Sequence, residues 1–389
     1  MTRSNGIDLN QYKTQAKEFL KLLHASETDA LERLSKRRPK KDFAQNPESL
    51  KLADAQLVIA RENGFPSWPK FSEYLLFQNA VKAIDLGDIQ KLTSLLDRSP
   101  ALIRYRCSVG EWYEQGYFAG ATLLNHVAGN PIRCPLPQNI LEVARLLLSR
   151  GARDKPPKTK DTLGLLLTSR QASEANVALP LIDLIVEANS LVLDLTRPDI
   201  LNLPLLNEAP GTAKELLRRG ARMDIRHAAA LGRLDLMKRI VNLDSSAEPD
   251  SVIIPLPECA AVAKTIMEEA FIWSCRSGQT RSAEYLLELG ADPNAQANVG
   301  QPGLHSAAGS AHIETVRMLI ERKVPLEEKN QYGGTPLGQA VWSAINEPLP
   351  GHLALIEALL EAGSNPDFTS YPTGNERIDD LLKRFNAKT

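Results

Sequence analysis

Six histidines and four cysteines are the side chains best suited to hold a metal or move a proton in this chain. Cys107, His126 and Cys134 lie closest together, and two thiolates with an imidazole are a set that zinc accepts. Their spacings of 19 and 8 residues match no zinc pattern, so a zinc, ligand or enzymatic site around 104–134 stands as the alternative reading. Cys259 and Cys275 are remote from that group, and no CxxC pair occurs. Free thiols, mostly buried, are expected. Gly-rich phosphate loops, HExxH and GxSxG are all absent. The inventory therefore predicts no enzyme, no catalytic residue, no metal and no cofactor.

A second chemistry is recognition, which favours Trp, Tyr and Arg. Residues 104–118 hold five aromatics in a chain that is 5% aromatic. Arg104, Arg106, Trp112, Tyr113 and Tyr117 are thus candidates for a partner-binding finger, and Tyr332 for another. Glu111 and Glu114 within the first finger would repel phosphate. The run 36–41 packs five cations into six residues, as a solvated linker or as a contact for nucleic acid or an acidic partner. A formal net charge of −1 argues against bulk attraction to nucleic acid. No apolar run is long enough for a membrane span, and residues 1–10 lack a secretory signal, so a cytoplasmic monomer is expected.

These residues need elements to hold them, and a repeat supplies the elements. The segments starting at Phe271, Leu304 and Leu337 lie 33 residues apart and share apolar or small residues at anchor positions 0, 3 and 4. Ala283 and Val316 follow their anchors by twelve residues, and Leu286 and Leu319 by fifteen. Two helices per unit follow, each with one buried stripe that only neighbouring units can cover. Gly290 closes a second helix in the left-handed conformation, and Thr335 with Pro336 opens the next first helix as cap and first turn.

Leu304, His305, Ala307, Ala308, His312, Val316 and Leu319 together resemble the TPLHxAAxxGH pattern of the ankyrin family, and 290–294 resembles its closing GAdxN. The resemblance implies an all-α ankyrin-repeat solenoid that binds a partner protein. Weaker copies extend the register back to Ala80, for about eight repeats over 77–370. Expected irregularities are Asn189 in place of a closing Gly, extra residues around 131–137 and an inserted loop at 244–264. Residues 1–76 lack the period and predict a small helical N-terminal module, and 371–389 a C-terminal capping helix or tail. The stretch 52–68 resembles the segment preceding the repeats in a group of bacterial ankyrin-repeat proteins, a resemblance that implies no reaction.

Within this register His305, His312 and His352 are expected to be architectural. Positions 2 and 5 point away from the buried stripe, at 100° per residue. They should line the concave groove. The residues there are His126, His227, Trp273, Ser306 and Gln339 at position 2, with Arg276 and Trp342 at position 5. They are the candidate groove residues, although a Trp there could equally fill a wide gap between units.

Overall fold

The computed structural model describes residues 9–37, 46–108, 120–129, 135–153, 162–189, 193–195, 197, 199–242, 253–297, 300–366 and 371–386. Its contacts divide the chain into two units, 1–192 and 193–389. Both are helical, and the described residues form only isolated β-bridges, at Cys107–Ala121 and Met223–Ile253.

The first unit opens with α1 (Leu9–His24), α2 (Thr28–Arg37), α3 (Leu52–Glu62) and α4 (Trp68–Asp85). Phe19, Leu23, Leu34 and Val58 form one small core, while Ile59, Phe65, Phe71 and Leu75 form a second. Arg33 closes α2 onto α3 with two hydrogen bonds to Glu62, of 2.9 and 2.8 Å. The basic run begins at the end of α2, where Lys36 pairs with Glu32; residues 38–41 lie outside the described residues. The expected module boundary at residue 76 falls inside α4, whose latter half buries Ala80, Val81 and Ile84 as the first helix of the first pair. Its partner is α5 (Ile89–Arg98), capped by Asp88, whose side chain accepts from Lys91 N–H at 2.8 Å. A 3-10 turn at Leu124–Ala128 pairs with α6 (Ile140–Ser149). The third pair breaks its first helix into α7 (Thr162–Thr168) and α8 (Arg170–Glu174), followed by α9 (Ala178–Asn189). Asn189 differs from expectation. It stays in the helix and donates to Ile185 O at 2.7 Å rather than turning left-handed.

The described residues of the second unit form five pairs. They are α10 (Asn202–Leu206) with α11 (Pro210–Arg218), α12 (Ile225–Ala230) with α13 (Leu234–Val241), and α14 (Ala260–Arg276) with α15 (Thr280–Glu288). Then come α16 (Gly303–Gly309) with α17 (Ile313–Glu321), and α18 (Pro336–Asn346) with α19 (His352–Glu361). The helix α20 (Glu376–Asn386) ends the unit, burying Ile378, Leu381 and Leu382. The span expected as an inserted loop is helical from Ala260 onward, and 243–252 lies outside the described residues.

One turn chemistry recurs through both units. After a second helix the chain turns left-handed at Gly151, Gly220, Gly290, Lys323 and Gly363. There the next residue's N–H returns to a carbonyl in the last turn, as from Ala291 to Leu286 O at 3.0 Å and from Val324 to Leu319 O at 3.1 Å. These bonds satisfy carbonyls that would otherwise be orphaned at the helix end. Between the two helices of a pair the left-handed residue is Gly87, Asn176, Glu208, Gly232, Gly278 or Ala311. At the last first helix, Thr335 accepts from Gly338 N–H at 3.1 Å and Pro336 fills the first turn, as its sequence predicts.

Candidate functional site

The three architectural histidines tie successive pairs together. His305 Nε2 donates to Gly334 O at 2.9 Å, His312 Nε2 to Arg276 O at 2.9 Å, and His352 Nε2 to Gly309 O at 3.1 Å. Burial holds His305 and His312 below the ordinary histidine pKa, against the opposing pull of their carbonyl partners. A proton on Nε2 serves this role in each ring.

Positions 2 and 5 do not share one fate. His126, His227, Trp273 and Ser306 at position 2 are buried. The expectation that they face an open groove is corrected for His126, His227, Trp273 and Ser306. His126 donates from Nδ1 to Thr122 O at 2.8 Å and packs edge-on against Phe77 at 5.6 Å. His227 meets the Trp273 ring at 5.7 Å, position 2 of one first helix against position 2 of the next. First helices pack side by side at roughly 10 Å. Large rings at this position bridge that gap, so their neighbours cover them. Gln339 is half-buried because α18 is the last first helix of its unit.

His227 belongs to a buried polar cluster that its sequence spacing does not reveal. Asp224 caps α12, accepting from Arg226 N–H at 2.9 Å and from the Arg226 guanidinium. The same guanidinium reaches Glu269 of α14 at 2.7 Å and lies 5.7 Å from the Trp273 ring centre. His227 Nδ1 takes the Asp224 N–H at 3.0 Å, and Nε2 donates to Asn202 Oδ1 at 2.8 Å. Burial would raise the Asp224 pKa; its hydrogen bonds with His227 and Arg226 and the Arg226 charge outweigh that and hold the carboxyl well below the usual range. Within this cluster the Arg226–Glu269 bond joins α12 to α14, and the His227–Asn202 bond joins α12 to α10.

Position 5 remains open. Trp342 on α18 is 54% exposed, and Ile345, one turn further, is 41% exposed. Arg276 is half-buried at the end of α14. Between them on α16 lie Gly309 and Ser310, and a side-chain carbon at Gly309 would sit 3.3 Å from Gln339 Nε2. Gln339 in turn donates to Ser343 Oγ at 3.2 Å. Glu208, in the left-handed turn after α10, accepts from Ser310 Oγ at 3.2 Å across 102 residues. Arg276, Ser310, Gln339 and Trp342 thus form successive rungs on the first-helix face of α14, α16 and α18, with Glu208 at one side.

The finger residues divide. Tyr332 is 83% exposed at the tip of a turn that Asn330 braces by accepting from the N–H groups of Tyr332 and Gly334, both at 3.0 Å. Arg104 and Arg106 are exposed, and Arg106 donates to Gly120 O at 3.3 Å. Trp112, Tyr113 and Tyr117 lie outside the described residues, as does Cys134. Cys107 is buried beside Tyr105, whose phenol burial pushes up to about 12. Cys275 is buried and Cys259 exposed. Among the described residues no three His, Cys, Asp or Glu side chains gather as metal ligands. Nor does any described helix have the length and apolarity to cross a membrane.

A stack of helix pairs with left-handed Gly closers, histidine ties between pairs and a ladder of variable side chains on the first helices is an ankyrin solenoid. The comparisons agree: the family model described as ankyrin repeats, in three copies, matches residues 271–370, the stretch that holds the ladder. Residues 271–370 are thus ankyrin repeats. The chain is 32% identical over 88 residues to Protein fem-1 homolog A-like of Mus musculus, covering 23% of this chain and 12% of that protein. It is 26% identical over 162 residues to Ankyrin repeat and KH domain-containing protein mask-1 of Caenorhabditis elegans, covering 41% of this chain and 5% of the other. With Protein PhlB of Serratia liquefaciens it shares 36% over 78 residues, 20% of this chain and 34% of that one. The chain therefore spans between 5% and 34% of these curated relatives.

Proposed function

We propose that the chain is a protein-binding scaffold that takes a peptide segment of a partner protein along the first-helix face of α14, α16 and α18. The observation behind this reading is Trp342. An indole left more than half exposed on a first helix, beside an exposed Ile345, places apolar surface where the fold itself gains nothing from it. Gln339 and Arg276 extend the surface, and Tyr332 stands as a finger contact in the same unit, while Arg104 and Arg106 are separate finger candidates of the first unit. Binding without catalysis fits the titratable residues, since those drawn together, Asp224, His227 and Glu269, are held in structural hydrogen bonds. The net charge of −1 favours a protein partner over nucleic acid.

The experiment is selection of random displayed peptides on the full chain, followed by affinity measurement on wild type and Trp342→Ala. Loss of about tenfold or more on Trp342→Ala, at unchanged thermal stability, is the expected result for an interface aromatic. Equal affinity for both proteins would overturn the groove reading.

A further inference from the structure

Arg276 differs from the other arginines of the second unit that the fold employs. Arg226 holds Asp224 and Glu269, Arg322 reaches Glu284, and Arg384 reaches Glu357. Arg276 forms no ion pair and no side-chain hydrogen bond among the described residues, and its Nε is buried without a partner. A half-buried guanidinium has lost part of its hydration, and an unsatisfied buried donor is costly. The nearby acid does not answer it: Glu208 is engaged by Ser310 Oγ at 3.2 Å. The backbone at this rung is already committed, because Arg276 O accepts from His312 at 2.9 Å. What remains is a planar fork of N–H donors on the ladder face, whose natural complement is a carboxylate.

From this we infer that Arg276 is the anion-recognising rung of the groove, binding a side-chain or terminal carboxylate of an extended partner peptide. The inference rests on the groove reading above. Arg276 and Trp342 occupy the same position in units two apart, so they stand about 20 Å from one another at roughly 10 Å per pair. An extended chain covers that distance in about six residues. The ligand is thus a peptide segment with an Asp, a Glu or its own C-terminus about six residues from an apolar side chain that rests on Trp342. Arginine suits the task better than lysine, since a carboxylate can meet two of its N–H groups at once.

The test uses peptides selected on the full chain, each made also with its acidic residue changed to the amide, against wild type, Arg276→Gln, Arg276→Lys and Trp342→Ala. The expected result is loss of roughly ten- to hundredfold on Arg276→Gln, the scale of one charge-assisted hydrogen-bonded pair, with a smaller loss on Arg276→Lys. The amide peptide should lose the same factor on wild type and nothing further on Arg276→Gln. Glu208→Gln, which keeps an acceptor for Ser310, should tighten the acidic peptide by about twofold through reduced repulsion. Peptides whose affinity falls on Trp342→Ala but is indifferent to Arg276→Gln would overturn this inference and leave the groove reading intact. Selection of no peptide above background would overturn both. Self-association of the wild type abolished by Arg276→Gln would assign the rung to a second copy and equally overturn it.

Discussion

Replacing Arg226 by methionine removes one charge from a place where two others stay behind. The Arg226 side chain is 21% exposed, whereas those of Asp224 and Glu269 are 9% and 5% exposed. Methionine keeps the aliphatic stem that packs toward Trp273, so the change is chiefly electrostatic. Breaking a buried pair by deleting one partner costs about 3–5 kcal/mol, because the surviving charge is left without compensation. Partial exposure of Arg226 and the remaining bonds of Asp224 to His227 and the α12 backbone place the expected loss at the low end, about 3 kcal/mol. Urea unfolding of the full chain followed by far-UV circular dichroism reads it, with hydrogen exchange of α12 and α14 showing where protection is lost. The double change Arg226→Met with Glu269→Leu removes the Arg226–Glu269 pair and leaves only Asp224, still bonded by the Arg226 and His227 backbone N–H groups, so it should recover part of the loss of Arg226→Met, to within about 1 kcal/mol of wild type. An Arg226→Met protein within about 1 kcal/mol of wild type, or a double variant as damaged as the sum of its singles, would refute the reasoning.

Three further outcomes follow from the same geometry. Asp224 has a folded-state pKa below its unfolded value, so its stabilisation is complete above about pH 4 and fades as pH falls toward the folded pKa. The stability difference between wild type and Asp224→Asn should shrink on acidification below about pH 4; a gap unchanged from about pH 7 to pH 3 would contradict this. Gly278→Ala must hold a φ of +67° with a new carbon 2.5 Å from His312 Nδ1, against open space at Gly290 with φ +90°. Calorimetric melting should show about 2–3 kcal/mol lost at Gly278 and about 1 kcal/mol at Gly290, and equal losses would remove the role given to the His312 tie. Trp273→Ala should cost about 3–5 kcal/mol of stability and Trp342→Ala less than about 0.5 kcal/mol, as chemical denaturation of each would show.

The helix pairs were legible because their signals are local. Apolar residues at positions 0, 3 and 4 define the face that must be covered, and the Gly and Thr-Pro punctuation acts within a few residues of chain. The same locality explains the error at Asn189, where a side chain able to adopt a left-handed turn instead bonds back to Ile185. It also explains why α14 starts earlier than its apolar stripe: Val262 is 48% exposed, so its first turns carry no buried face to detect.

By itself the sequence determined which faces of which helices are apolar, where pairs start and stop, and which histidines serve the frame. Only the tertiary structure decided which outward positions are covered. Periodicity treats positions 2 and 5 as equivalent, but rings such as His227 and Trp273 close the gap between adjacent first helices, while Trp342 stays 54% exposed. The contacts between Arg226 and Glu269, 43 residues apart, and between Ser310 and Glu208, 102 apart, likewise have no local signature. Hydrophobic periodicity reports one helix's own burial, whereas pairing of polar groups depends on the distance and rotation between helices that packing alone sets.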